Sequence, residues 1–179
     1  MIEREGEKTM RNQRGFTMLE GAITISLIVV VAAIGVPQFQ KMATNSSLKA
    51  AARDIMGEFS YLKEKALTGD TTVGSRMYQI TLNTSAQTYQ IQRCTVGQVS
   101  TCPDWATIQI KNFTPFGKDI GFDATHTTAT NYVFQTRGTV TIGNGNTTSG
   151  SIVLQNNRGS TATITILTAG RIYVQYALK

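Results

Sequence analysis

From Gly15 to Gln40 the chain runs for 26 residues with a single charge, Glu20. Most of the chain beyond this run is polar and rich in Thr, Ser, Asn and Gly. The centre of the run, residues 21–36, is Gly-Ala-Ile-Thr-Ile-Ser-Leu-Ile-Val-Val-Val-Ala-Ala-Ile-Gly-Val. Taken as a helix from Phe16 to Phe39, it would extend about 36 Å, enough for a hydrocarbon core of about 30 Å. A buried helix of a soluble protein explains neither this length nor the segment before it. With 179 residues in all, there is room for one compact domain beyond the apolar run.

Residues 1–15 are short, polar and of mixed charge. An ordinary secretory signal places its cleavage site after the apolar run, at small residues. Here Arg14-Gly15 precedes it, so processing at that point would retain the hydrophobic part. Arg11 and Arg14 lie on the N-terminal side, and the next basic residue is Lys41. That asymmetry places the N-terminus in the cytoplasm and the remainder on the periplasmic or exterior side. Met1 and Met10 are both acceptable starts, the second leaving a leader of six residues, 10–15.

Glu20 is the informative exception. A carboxylate inside a spanning segment costs about 2.5–3.5 kcal/mol on insertion scales, which makes it a functional residue by default. If Phe16 becomes the N-terminus, Glu20 lies one helical turn from the new α-amine and at the positive end of the helix dipole. It is then placed to pair with the terminal amine of a neighbouring subunit, since unpaired charges in apolar surroundings are costly. A residue reaching for lipid headgroups is the plainer reading.

Arg14-Gly15-Phe16-Thr17-Met18-Leu19-Glu20 resembles the class III signal of type IV pilins and type II secretion pseudopilins. The resemblance implies cleavage by prepilin peptidase between Gly15 and Phe16, N-methylation of Phe16, and a role for Glu20 in assembly. Pro37 falls where pilins commonly carry a helix-kinking proline. Two departures stand out. Gly21 follows the glutamate and Gly35 precedes the next Val-Pro pair, and both loosen a helix locally.

Beyond Pro37 the pattern changes. Leu48, Ala51, Ala52, Ile55, Phe59, Leu62 and Ala66 recur at spacings of three and four, with Lys49, Arg53, Glu58, Lys63 and Glu64 between them. This spacing predicts an amphipathic helix that a sheet must cover, stopping at Gly69-Asp70. From Met77 the texture becomes β. Residues 77–82 and 88–92 alternate around a polar connection and read as a hairpin. Further strands are expected at 107–111, 132–136, 139–142, 151–155, 162–167 and 171–176. Turns are expected at Asn144-Gly145 and Arg158-Gly159 and at Gly138 and Gly170, with 143–150 as a flexible hairpin tip. No helical pattern alternates with these strands, so the sheet should be mainly antiparallel and the class α+β. The organisation is therefore a leader (1–15), a transmembrane part of the helix (16–39), an amphipathic part (40–69) and a periplasmic β-rich domain (70–179).

The arrangement Phe134-x-x-Arg137-Gly138, Ile152-x-Leu154, Thr163-Ile164-x-Ile166 and Gly170-Arg171-Ile172-x-Val174 is similar to GspH/FimT-type minor pseudopilins. That likeness implies the pilin-like fold. It also implies a structural subunit of a type II secretion pseudopilus or type IV pilus in the inner membrane. Its partners would be other pilin subunits, prepilin peptidase, the assembly platform and the lipid bilayer. The alternative it implies is a DNA-binding minor pilin for DNA uptake. Some FimT-type subunits carry Gly-Arg-x-Arg, whereas this chain has Gly170-Arg171-Ile172-Tyr173. Arg158, Arg171 and Lys179 would then form a basic rim.

The net charge of +6 and pI of about 9.5 permit anionic partners without requiring them, since the basic residues are scattered. Chemistry is poorly provided for. The one histidine, His126, lies in a polar stretch, and no GxSxG, Walker A or HExxH pattern occurs. No cofactor or metal is implied. Cys94 and Cys102 make no CxxC pattern or Cys/His cluster. Outside the cytoplasm they would close a small disulfide loop. Otherwise they are two buried thiols, and geometry decides.

Overall fold

The computed structural model describes residues 17–69, 77–96, 102–143, 145 and 147–179. The elements are α1 (Met18–Thr68), β1 (Tyr78–Asn83), β2 (Thr88–Cys94), β3 (Trp105–Asn112), a 3-10 turn (Thr114–Phe116), β4 (Ile120–Phe122), β5 (Asn131–Phe134), β6 (Val140–Ile142), β7 (Ser149–Asn156), β8 (Thr161–Leu167) and β9 (Ile172–Ala177). Two compact units divide after Gln40, and α1 contributes to both.

In the second unit, α1 buries one face. Leu48, Ala51, Ala52, Ile55, Phe59, Leu62 and Ala66 are each no more than 1% exposed, the same residues whose spacing predicts the stripe. Phe59 meets Tyr132 and Phe134 edge-on, with ring centroids 5.2 and 5.4 Å away, the arrangement that aromatic quadrupoles favour. The helix stops at Gly69, whose φ of 79° lets its N–H reach the Lys65 carbonyl at 2.8 Å. Asp70, the other half of the expected stop, lies outside the described residues.

Every strand pairing is antiparallel. This is the α+β, pilin-like architecture, a long N-terminal helix packed on antiparallel sheets. There are two sheets, in the orders β3-β2-β1-β5-β6 and β4-β7-β8-β9. The β1–β2 hairpin forms where alternation places it, with Asn83 opposite Thr88. The turns at Gly138, Gly159 and Gly170 all have φ near +73°. Gly170 is the most constrained: a Cβ there would lie 2.2 Å from the Gly138 carbonyl oxygen.

One local expectation is corrected. The stretch 143–150 is not a hairpin tip, because β6 pairs with β5 while β7 pairs with β4 and β8. The chain passes here from one sheet to the other. Gly143, with φ 56°, turns it away from β6. Gly150 lets β7 come close, since a Cβ there would meet Ile142 Cγ2 at 2.7 Å and Tyr132 Cε1 at 2.9 Å. Of the expected Asn144-Gly145 turn, Asn144 lies outside the described residues. β4 and the 3-10 turn have no sequence-based counterpart.

Cys94 and Cys102 form a disulfide, with an S–S distance of 2.04 Å and Cα atoms 5.7 Å apart. The bridge ties the end of β2 to the chain just before β3, whose first residue, Trp105, pairs with Cys94.

Two outcomes test this packing. Phe59→Ala is expected to lower the unfolding free energy by about 3–5 kcal/mol, the cost of truncating a buried phenylalanine, read from denaturant midpoints. Thiol labelling of the unfolded chain should modify neither cysteine before reduction and both after it. Reduction should cost about 2.5 kcal/mol for a loop of this size.

Candidate anchor and maturation site

α1 begins with a built cap. Thr17 precedes the first helical residue, and the Glu20 backbone N–H donates to Thr17 Oγ1 at 3.2 Å. The Gly21 N–H donates to the Thr17 carbonyl at 3.1 Å. Thr17-x-x-Glu20 is thus a capping-box sequence whose threonine satisfies one of the otherwise orphaned N–H groups. Thr17 is a residue that motif matching passes over, although the Thr-x-x-Glu spacing announces it.

From Ala22 to Gln40 every residue of α1 is exposed within the molecule. Leu19, Ile25, Ile34 and Phe39 are each 65–75% exposed. So continuous an apolar surface demands an apolar surrounding. The interior of the segment meets the stricter requirement that its polar groups be satisfied without water. Thr24 Oγ1 donates to the Glu20 carbonyl at 2.7 Å, and Ser26 Oγ donates to the Ala22 carbonyl at 2.8 Å. Among the described residues this helix is the one long and apolar enough to cross a membrane. Pro37 lies inside α1. Its missing N–H leaves the Ala33 carbonyl without the usual i+4 donor.

Glu20, the single charge between Met18 and Gln40, stands in the first turn, where the helix dipole favours a carboxylate. Gly15 and Phe16, the expected cleavage pair, lie outside the described residues.

The three basic residues considered for DNA do not form one rim. Arg158 occupies the β7–β8 turn. Lys179 lies beside it: its backbone N–H donates to Ser160 Oγ at 2.9 Å, and its Nζ is 3.2 Å from where a Gly159 Cβ would be. Arg171 is in the β8–β9 turn, at the other end of β8, about 20 Å away for seven strand residues. The alternation of antiparallel strands puts successive turns at opposite ends of a sheet, so proximity in sequence does not bring these residues together.

His126 sits in a surface loop with its side chain 71% exposed, Nδ1 lying 2.6 Å from Asp123 Oδ2. Burial pushes the Asp123 pKa upward, but hydrogen bonds from the His126 ring and from the Thr125 and His126 N–H groups outweigh it and lower the pKa. The aspartate organises its own loop. No group of three or more His, Cys, Asp or Glu residues able to hold a metal occurs among the described residues.

Neither a curated protein nor a solved structure matches the chain. Residues 10–36 match the family described as prokaryotic N-terminal methylation motif, a span that includes Gly15, Phe16, Thr17 and Glu20 and most of the exposed apolar helix. The chain therefore carries the N-terminal methylation motif of the type IV pilin and pseudopilin class, on a long apolar helix that continues into a β-rich unit.

Proposed function

We propose that this chain is a minor pilin or pseudopilin, a non-enzymatic structural subunit of a type II secretion pseudopilus or type IV pilus. The observation that carries the reading is the methylation motif running directly into a capped helix whose apolar residues from Ala22 to Phe39 are all exposed. The motif accounts for maturation, and the exposed helix accounts for anchoring and assembly. The GspH/FimT likeness of the β-rich part supports a minor rather than a major subunit.

In this reading the precursor is inserted with its N-terminus in the cytoplasm and residues 70–179 in the periplasm. Prepilin peptidase cuts between Gly15 and Phe16 and methylates Phe16. The segment 16–39 then leaves the bilayer for a filament of other pilin subunits, drawn by the inner-membrane assembly platform. Pro37 provides a place for α1 to bend during that packing, since a proline inside a helix removes one backbone hydrogen bond. Glu20 pairs with the amine of Phe16 on a neighbouring subunit. An unpaired carboxylate at this depth costs about 2.5–3.5 kcal/mol, and pairing offsets that cost in the filament.

N-terminal sequencing and intact mass of the protein from cells that have a prepilin peptidase should give a chain starting at N-methylated Phe16. A chain retaining residues 1–15 overturns the assignment. Gly15→Val should leave the precursor uncut. Glu20→Ala should be inserted and cleaved yet recovered from sheared filaments at about one tenth or less of the normal level, the loss of one charge pair in apolar surroundings. Equal recovery would show that the pairing is not used.

A further inference from the structure

β9 is an open sheet edge whose free backbone groups can be named. It pairs with β8 and with no other strand among the described residues. The Leu167 N–H donates to the Arg171 carbonyl at 2.9 Å, which sets the phase of the β8–β9 ladder. Bonded and unbonded partners alternate in an antiparallel pair, so Tyr173, Gln175 and Ala177 exchange bonds with Thr165, Thr163 and Thr161. Ile172, Val174 and Tyr176 then direct their N–H and C=O groups away from β8. No hydrogen bond from another described residue reaches these groups.

The other three edges are guarded. β4 and β6 have three residues each, and β3 carries Lys111 and a register shift opposite Ile91 and Gln92. Short strands, charges, prolines and bulges are the usual means of discouraging a partner, and residues 172–177 have none of them. α1 runs beside this edge and makes its surroundings basic. Lys49 Nζ lies 5.9 Å above the Tyr176 ring, and Lys63 donates to the Gly170 carbonyl at 2.9 Å. Arg53, one turn beyond Lys49, is exposed, as is Arg171 just before β9. One carboxylate, Glu64, follows Lys63 on α1. Even so, none of Lys49, Arg53, Lys63 and Arg171 has a carboxylate partner among the described residues.

We propose that β9 takes up an extended, acidic segment of a different protein as an added strand. The backbone of that segment meets the free N–H and C=O groups of Ile172, Val174 and Tyr176, and its alternate side chains turn toward α1. Carboxylates at those positions suit Lys49 and Arg53. The same groups discriminate against two other occupants. A DNA backbone offers acceptors and no donors, so it leaves the three carbonyls unmet. A second copy joined edge to edge sets Lys49, Arg53 and Arg171 against their own kind. Every residue of the contact lies in the second unit, so it stands or falls apart from the filament reading.

Fluorescence anisotropy with the full chain in lipid nanodiscs tests this. The probes are two labelled peptides of the length of β9, one alternating glutamate with valine and the other lysine with valine. The glutamate peptide should bind and the lysine peptide should not. Val174→Pro removes one outward N–H and no bond to β8, and should weaken binding about tenfold, while Val174→Thr, which keeps the N–H, should stay within about twofold. Lys49→Glu combined with Arg53→Glu tests the same contact without touching β9, and should reverse the preference between the peptides. Hydrogen exchange at Ile172, Val174 and Tyr176 should slow when the glutamate peptide is bound. No binding of that peptide overturns the proposal, and so does an unchanged preference in the double variant. Binding that Val174→Pro leaves as it was reduces the site to a cationic surface. Tighter binding of an oligodeoxynucleotide, indifferent to Val174→Pro, gives the flank to nucleic acid instead. Self-association of the chain that Val174→Pro abolishes gives the edge to a second copy.

Discussion

Seven side chains on one face of α1, from Leu48 to Ala66, are the surface on which the second unit is built. Both sheets send their buried residues to this one core, Ile80 and Tyr132 from one and Ile152 and Ile164 from the other. Burying a side chain the size of Leu, Ile or Phe contributes about 1.5–3 kcal/mol. Before Lys41 the same helix is apolar on every side and exposes all of it. A stripe selects a partner by direction, whereas an apolar cylinder selects only a solvent. The two halves of α1 are thus written for two environments, protein and lipid.

That difference explains how much of the molecule is legible in its sequence. The stripe on α1 and most of the strands follow from periodicity, because each buries one face and leaves the other in water. β4 escapes the pattern since Ile120-Gly121-Phe122 is too short to show alternation, and its place is fixed by pairing Ile120 with Asn156. The split into two sheets is also hidden. It depends on how closely β7 can approach Tyr132 and Ile142, and the missing side chain of Gly150 reveals this only in three dimensions. The supposed hairpin tip at 143–150 fails for the same reason: a glycine-rich connection looks alike whether it joins partners or strangers. Of the functional residues, Glu20 is visible as a charge out of place, and Thr17 only through its Thr-x-x-Glu spacing to it, because a lone hydroxyl is common everywhere.

The separation of Arg171 from Arg158 and Lys179 bears on function as well as on fold. A polyanion groove needs cations along one continuous surface, and antiparallel connectivity sends these to opposite ends of the sheet. The observed arrangement instead distributes charge by flank, with Lys49 and Lys63 on one side of α1 and Asp54 and Glu58 on the other.

Glu20 is the point where fold and assembly meet. The polar groups around it are satisfied locally: its own N–H by Thr17, its carbonyl by Thr24, and the Ala22 carbonyl by Ser26. None of these bonds uses the carboxylate. The Thr17 cap bond would hold with an uncharged residue at this position, so the helix dipole alone favours the charge here, by about 0.3–1 kcal/mol. The proposed filament offers a further reason, a partner carrying the opposite charge. The proposed cleavage after Gly15 would create such a charge, the α-amine of Phe16. In the proposed filament, that amine on a neighbouring subunit is the partner that offsets the cost of the charge.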